Sequence, residues 1–301
     1  MAMSYPKSPI GRTVHLASIS FNELSFSMVA QLVDEEAAKG SDLILLPETF
    51  LGEKMERLDG EVIQTLSSLS VKHSTYILSP LYLERDGQRF NSSIIFDRQG
   101  KIAGIYDKMY PYWEEFNLQP ITQVGKHPLT VQADFGKIGL ATCFDVNFPN
   151  LWDELAGQGA ELVLWSSAYS AGSSLQAHAI NHHYYIVTAT LAKDCLVYDI
   201  TGELIHHSKN DPVNITHLTL DLDRGIYHQN YNCDKVERLL RDYEGKIIKE
   251  RDLLMEQWFV LRAIEPGISA RETARQYGME ELRHYLRRSR EQIDRMREGL
   301  P

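Results

Sequence analysis

What this chain lacks narrows its function before any motif is read. Only three of its 301 residues are cysteine (Cys143, Cys195 and Cys233), an odd number with no C-x-x-C spacing. A disulfide scaffold and a zinc ribbon are therefore not expected, and a reducing, cytoplasmic setting fits. No apolar run approaches the ~20 residues that a membrane helix needs. Residues 1–10 contain Lys7 but no apolar core or small-residue cleavage site, so neither a secretory signal nor a membrane partner is expected. Basic residues are outnumbered: 31 Lys and Arg against 41 Asp and Glu give a net charge of −10, which argues against a nucleic-acid partner. Short tandem repeats and low-complexity tracts are missing too.

What is present is the composition of a globular protein, 43% hydrophobic and 24% charged, in a chain long enough for one large α/β domain or two small ones. Strand and helix patterns alternate. Strands are predicted over 13–20, 42–46, 75–84, 90–97 and 101–107, with helices over 25–39 and 61–73. An irregular, aromatic stretch follows over 109–127, and a loop of that length in a compact domain is usually functional. The theme then repeats. A hairpin about Gly136 leads to a helix near 151–156, a strand over 161–165, a helix over 173–183, and strands over 185–191, 195–200, 203–207 and 215–222. Two packed sheets with helices outside each, a four-layer αββα sandwich of the α/β class, would satisfy this order.

From about residue 233 the pattern reads as helix, over 235–262 and again from a capping box at Ser269 and Glu272 to about 297. The expected division is therefore 1–232 and a helical extension, 233–301. Its last part has a faint helix-turn-helix look and many arginines, but Glu280, Glu281, Glu291, Asp294 and Glu298 interleave with them. An oligomerisation or lid element is favoured over a DNA-binding one.

Three chemically able residues each end a predicted strand. Cys143 follows the apolar run 138–142 and precedes a turn and a helix, which suggests a nucleophile on a sharp turn whose thiolate is favoured by backbone N–H groups. Glu48 ends 43–48 and Lys108 ends 105–108. A carboxylate can take the thiol proton and return it to a leaving amine. A lysine, with the backbone N–H of Phe144, can stabilise the oxyanion of a tetrahedral intermediate. Tyr112, Trp113, Phe144 and Trp165 are candidate pocket walls, although the aromatics of 109–127 serve equally well as core plugs.

Leu46-Pro47-Glu48-Thr49-Phe50, Tyr106-Asp107-Lys108 and Gly139-Leu140-Ala141-Thr142-Cys143-Phe144-Asp145-Val146-Asn147-Phe148-Pro149 together resemble, in order and separation, the three signature segments of the nitrilase (carbon–nitrogen hydrolase) superfamily. The resemblance covers 13–223. It implies an αββα sandwich that usually dimerises, no metal or other cofactor, and hydrolysis of a non-peptide C–N bond in an amide or N-carbamoyl substrate. It assigns Glu48 as base, Lys108 as oxyanion stabiliser and Cys143 as nucleophile. It also implies a second glutamate after the lysine, for which Glu114 and Glu115 both stand in place. Spacing does not choose between them; Glu115 is preferred as catalytic and Glu114 as a substrate contact. Two segments depart from the family pattern: 178–182 reads His-Ala-Ile-Asn-His where Arg-Ala-x-Glu-Asn is common, and Asp194-Cys195 replaces a Gly-Ser. His178 and His182 share a helical face but lack an acidic third ligand nearby, so no metal is expected there. The alternatives are a true nitrilase, or a regulatory protein with a vestigial triad and a nucleic-acid-contacting tail.

Overall fold

A computed structural model describes residues 10–299 of the chain, so most of the N-terminal segment read above lies outside the described residues. The chain forms two compact units, residues 14–219 and residues 10–13 with 220–299.

The first unit opens with β1 (Thr13–Phe21), α1 (Phe26–Ala37), β2 (Leu43–Leu45), β3 (Met55–Glu56), α2 (Glu61–His73), β4 (Tyr76–Arg85), β5 (Gln88–Phe96), β6 (Ile102–Asp107) and β7 (Thr122–Gln123). It continues with β8 (Thr130–Ala133), β9 (Gly136–Thr142), α3 (Pro149–Gly157), β10 (Leu162–Ser167), α4 (Ser173–His182), β11 (Tyr185–Thr190), β12 (Asp194–Tyr198), β13 (Leu204–Lys209) and β14 (Val213–Asp221). One sheet runs β14-β1-β2-β4-β5-β6 and the other β13-β12-β11-β10-β9-β8. In each, the three central strands are parallel, β1-β2-β4 and β9-β10-β11. Parallel neighbours need crossovers, which the helices supply.

Those helices bury one face each. Val29, Val33 and Ala37 of α1 and Val62, Ile63 and Leu66 of α2 share a core with Ala17, Ile19, Phe21, Ile44 and Ile77 of the first sheet. The opposite faces of the two sheets meet through small hydroxyl side chains. Ser18 donates to the Thr188 carbonyl at 2.7 Å, Ser20 to that of Asp194 at 2.8 Å and Ser166 to that of Leu46 at 2.8 Å. Such bonds give the buried hydroxyls partners across the two sheets. The layers are α1/α2, sheet, sheet, α3/α4, as the alternation of the sequence predicts.

The second unit departs from the all-helical expectation. It holds β15 (Gly225–His228), α5 (Cys233–Asp242), β16 (Ile247–Leu253), β17 (Trp258–Ala263), α6 (Ala270–Gln276) and α7 (Leu282–Arg297), with a sheet ordered β15-β17-β16. The helix expected over 235–262 stops at Asp242. Gly245 then takes φ +73° in a turn, and the β-branched and aromatic residues Ile247, Ile248, Trp258, Phe259 and Val260 pair as an antiparallel hairpin. The apolar spacing there fits a strand facing a core of Tyr227, Val236, Leu239 and Phe259 better than a helical stripe. The last predicted helix is also two, broken at Gly278 with φ +71°. Ser269 caps α6 by accepting the Glu272 N–H at 3.1 Å, while the Glu272 carboxylate turns to Arg275 and Gln276 rather than back to the cap. Among the described residues no helix is long and apolar enough to cross a membrane.

Candidate active site

Cys143 is the first residue after β9 and takes φ +47°, a left-handed conformation that side chains rarely adopt. A short 3₁₀ turn, Cys143–Asn147, joins it to α3. Asp145 holds that turn. Its fully buried carboxylate accepts the Thr142 N–H at 2.8 Å, the Tyr106 hydroxyl at 2.7 Å and the Tyr110 N–H at 3.0 Å. Strain of this kind costs about 1–3 kcal/mol and persists only where the surroundings impose it. Three donors on one carboxylate are such a constraint. Trp165, fully buried, donates its indole N–H to the Cys143 carbonyl at 3.2 Å, so it braces the nucleophile's backbone rather than forming an open wall.

Glu48 lies just past β2, and Thr49 beside it also has positive φ, +43°. Lys108 follows β6 directly. Its ammonium sits 2.8 Å from Glu48 Oε1 and 2.5 Å from Glu115 Oε1, with all three side chains buried. The loop after Lys108 returns to it: the Gly125 N–H donates to the Lys108 carbonyl at 2.9 Å. A Cβ at Gly125 would lie 1.9 Å from the Asp107 carbonyl oxygen, so only glycine fits that close approach. Within the loop, a 3₁₀ turn over Trp113–Phe116 points Glu115 inward, where its Oε1 also accepts the Tyr112 N–H at 2.9 Å. Glu114 on the same turn is exposed and bonds Asn117 at 3.0 Å. Glu115, and not Glu114, therefore joins the buried cluster.

Electrostatics bear on the expected thiolate. Burial pushes the Cys143 thiol up to about 12, and the negative charge of Glu48 adds to the effect. Lys108, the Ser167 hydroxyl and the Ala168 N–H oppose it without prevailing. Burial therefore keeps the resting sulfur toward the protonated thiol, whose proton Glu48 is expected to take, because desolvation outweighs the nearby donors that favour the thiolate. For Lys108, burial alone would favour the neutral amine; the charges of the neighbouring carboxylates, Glu48 first and then Glu115, outweigh it and hold the ammonium well above its ordinary range.

Sequence reading missed several members of the cluster. Asn91 of β5 donates to Glu48 Oε1 at 2.9 Å and to Glu115 Oε2 at 2.8 Å. The Ala168 N–H, just past β10, donates to Glu48 Oε2 at 3.0 Å. The signal for Asn91 was a buried polar run, Asn91-Ser92-Ser93, between the apolar Phe90 and Ile94-Ile95-Phe96 of one strand.

Around these groups lie aromatic rings of graded exposure. Tyr112 is about half exposed, edge-on to Phe144 with ring centroids 5.6 Å apart. Tyr110 stacks on Phe148 at 3.9 Å. Trp113 is the most open and meets Phe116 edge-on. His178, one of the two candidate metal ligands, has its Nε2 2.8 Å from the Val146 carbonyl and stacks on Trp152 at 4.2 Å, which ties α4 to the nucleophile turn. His182 stacks against it at 6.1 Å. Among the described residues no group of three or more His, Cys, Asp and Glu side chains is arranged to hold a metal ion.

Comparisons with known proteins agree with this fold. The chain is 24% identical over 203 residues to an omega-amidase of Mus musculus, covering 60% of this chain and 74% of that one. It is 28% identical over 188 residues to a deaminated glutathione amidase of Synechocystis, covering 52% and 68%. A hydrolase of Schizosaccharomyces pombe is 25% identical over 206 residues, 60% of this chain but only 64% of its own length. Among solved structures, a carbon–nitrogen hydrolase from Helicobacter pylori superposes with a TM-score of 0.62 at 20% identity, over 78% of this chain and 96% of that one. Nit3 of Saccharomyces cerevisiae, a member of the nitrilase superfamily, gives 0.61 at 19% identity, over 72% and 93%. The sequence profile of the carbon–nitrogen hydrolase family matches residues 23–226, and the chain belongs to that family.

Proposed function

We propose that the protein is an amidase-type hydrolase that opens a carboxamide C–N bond through a thioester on Cys143. The observation that carries this reading is the Lys108 ammonium held 2.8 Å from Glu48 and 2.5 Å from Glu115 beside a strained, strand-end cysteine. The relatives named as amidases support the bond class.

Glu48 takes the Cys143 proton as the sulfur attacks the carbonyl carbon. A protonated resting thiol suits this order, since proton transfer then accompanies attack. Lys108 and the Phe144 N–H stabilise the oxyanion. The C–N bond breaks as Glu48 returns its proton to the departing nitrogen, and a thioester remains. Water, deprotonated by Glu48, then opens the thioester and frees the acid and the thiol. Glu115 orients Lys108. Each step uses only these side chains and water. On this reading Tyr112, Trp113 and Phe144 receive the acyl group or its substituents, a role supported by the edge-on contact of Tyr112 with Phe144, the residue after Cys143.

Mass spectrometry of wild-type and Cys143→Ala protein with primary amides, N-acyl amines, N-carbamoyl compounds and nitriles tests this. Amide product from the wild type alone, with an acyl adduct on Cys143, is expected. Product from nitriles alone would replace the reading with a nitrilase, and no Cys143-dependent product anywhere in the panel would end it. A homo-oligomeric enzyme is proposed with it, supported by exposed Leu286, Ile293 and Met296 along α7. A monomer mass in sedimentation equilibrium would remove that part.

A further inference from the structure

Asn91 touches every charged member of the cluster, and nothing in the proposed chemistry yet uses it. It lies on β5 opposite Tyr82 of β4 and is almost fully buried. Its backbone carbonyl accepts the Lys108 N–H at 2.9 Å. Its side-chain nitrogen bridges the two carboxylates, at 2.9 Å from Glu48 Oε1 and 2.8 Å from Glu115 Oε2. Only the nitrogen of the amide can face two carboxylates, because its oxygen would repel both. The amide oxygen is left buried without a hydrogen-bond partner. A buried polar atom kept unsatisfied costs stability that an apolar side chain of the same size would avoid.

We infer that Asn91 is a positioning residue that reserves Glu48 Oε2 for the proton of Cys143. The inference rests on the amidase reading above. Glu48 Oε1 accepts two donors, Asn91 at 2.9 Å and Lys108 at 2.8 Å, which occupy both of its lone pairs. Glu48 Oε2 accepts one, the Ala168 N–H at 3.0 Å, and that same N–H also bonds the Cys143 sulfur. Oε2 therefore keeps a lone pair open beside an N–H that also acts on the Cys143 thiol. As the S–C bond forms, the S–H proton passes to Oε2, leaving Oε1 bonded to Asn91 and Lys108 throughout. The proton then leaves Oε2 for the departing nitrogen. Without the amide, the carboxylate could turn, and its ionised form would lose a donor.

The groups that act on these carboxylates are Lys108, Cys143, Tyr82, Tyr169 and, across the Tyr82 ring, Arg89. None of them is altered by a change at Asn91. Hydrogen bonds to an ionised carboxylate favour that form. Asn91→Leu is therefore expected to raise the acid limb of the kcat profile by about one pH unit, with KM near the wild-type value. Asn91→Asp, of the same shape, should raise it further by adding a like charge.

The same limb is read without substrate from the rate at which iodoacetamide alkylates Cys143 at each pH. A limb that moves in both profiles supports the inference. Limbs at the wild-type pH in both variants, with rates lowered evenly, would reduce Asn91 to a structural role and overturn it. If Asn91→Leu does not fold, Asn91→Asp carries both profiles alone. A moved alkylation limb in a protein that hydrolyses no amide would retain Asn91 as the anchor of Glu48 and remove the amidase reading instead.

Discussion

Glu48 and Lys108 form an ion pair at 2.8 Å with both side chains almost completely out of solvent. Two buried charges gain from each other only while both are present, and removing one leaves the other stranded. Glu115 makes the cluster anionic by one charge even with Lys108 in place, so the lysine is the member whose loss is felt most. Lys108→Met is expected to lower kcat by about 10²–10³ or more, since an oxyanion donor is lost. It should also destabilise the fold by about 3–5 kcal/mol, the cost of an uncompensated buried charge. Steady-state kinetics and chemical denaturation of the same preparation check the two effects. A large rise in KM with kcat intact would make Lys108 a substrate anchor instead.

Glu48→Gln separates two consequences of one charge. Burial and the Glu48 charge together push the Cys143 thiol up to about 12. Removing the charge lets the thiol ionise more readily, so the alkaline inflection of Cys143 alkylation, separate from its acid limb, should move to lower pH. Amide turnover near neutral pH should nonetheless be lost, because the base is gone. A thiol that became easier to ionise in a variant still turning over at the wild-type rate would remove Glu48 from the proton path.

Glu114 and Glu115 are neighbours with opposite environments. Glu115 reaches Lys108 at 2.5 Å and the Tyr112 N–H at 2.9 Å, whereas Glu114 is exposed and meets Asn117 at 3.0 Å. Glu115→Gln keeps the shape but gives up a charge beside a buried ammonium, and a loss of about 10²-fold or more in kcat is expected, the scale of an oxyanion donor set out of place. Glu114→Gln should stay within about twofold, as surface changes usually do. Parallel kinetics of the two variants give the comparison directly, and the reverse order would transfer the second-glutamate role to Glu114.

Much of this fold is readable as alternating runs, because parallel strands buried on both faces are nearly continuous apolar segments and the crossover helices are amphipathic. Glu48 and Cys143 stand out because each follows such a run, and parallel strands bring their carboxyl ends to one edge, whereas Lys108 follows β6, which pairs antiparallel with β5. Asn91 stays hidden for a different reason. Its place beside Glu48 depends on the register of β5 against β4 and β6, which pairs Tyr82 with Asn91 and Ser92 with Asp107. Register between antiparallel strands is a tertiary fact that a single strand does not encode. The backbone N–H of Ala168 carries no side-chain signature at all. The tail misleads because Val236, Leu239, Ile247 and Leu253 fit a helical stripe by spacing. Strand propensity and Gly245 decide otherwise once a core is present to cover Ile247 and Phe259. How firmly the thiol holds its proton stays hidden on a third ground: donors can be counted in a motif, but the desolvation that outweighs them cannot.

Asp145 joins catalysis to pH through the nucleophile turn. Burial pushes its carboxyl up to about 7 from an ordinary 3.8, although Lys108, Tyr106 and the backbone N–H groups of Thr142 and Tyr110 all favour the ionised form. Between those two values the folded protein holds a proton at this site that the unfolded chain has released, so stability falls as pH rises through that window and is greatest below it. The three groups that meet the carboxylate are all donors. An amide in its place must therefore turn its own N–H toward one of them. Asp145→Asn should cost about 1–3 kcal/mol for the donor left unpaired, lower kcat by loosening the +47° turn at Cys143, and flatten the dependence of stability on pH. Denaturant midpoints measured at pH 4, 6 and 8 for both proteins test the sign. A wild-type midpoint that rises across that range would mean the native carboxylate is ionised throughout, and the donors around Asp145 would then outweigh its burial.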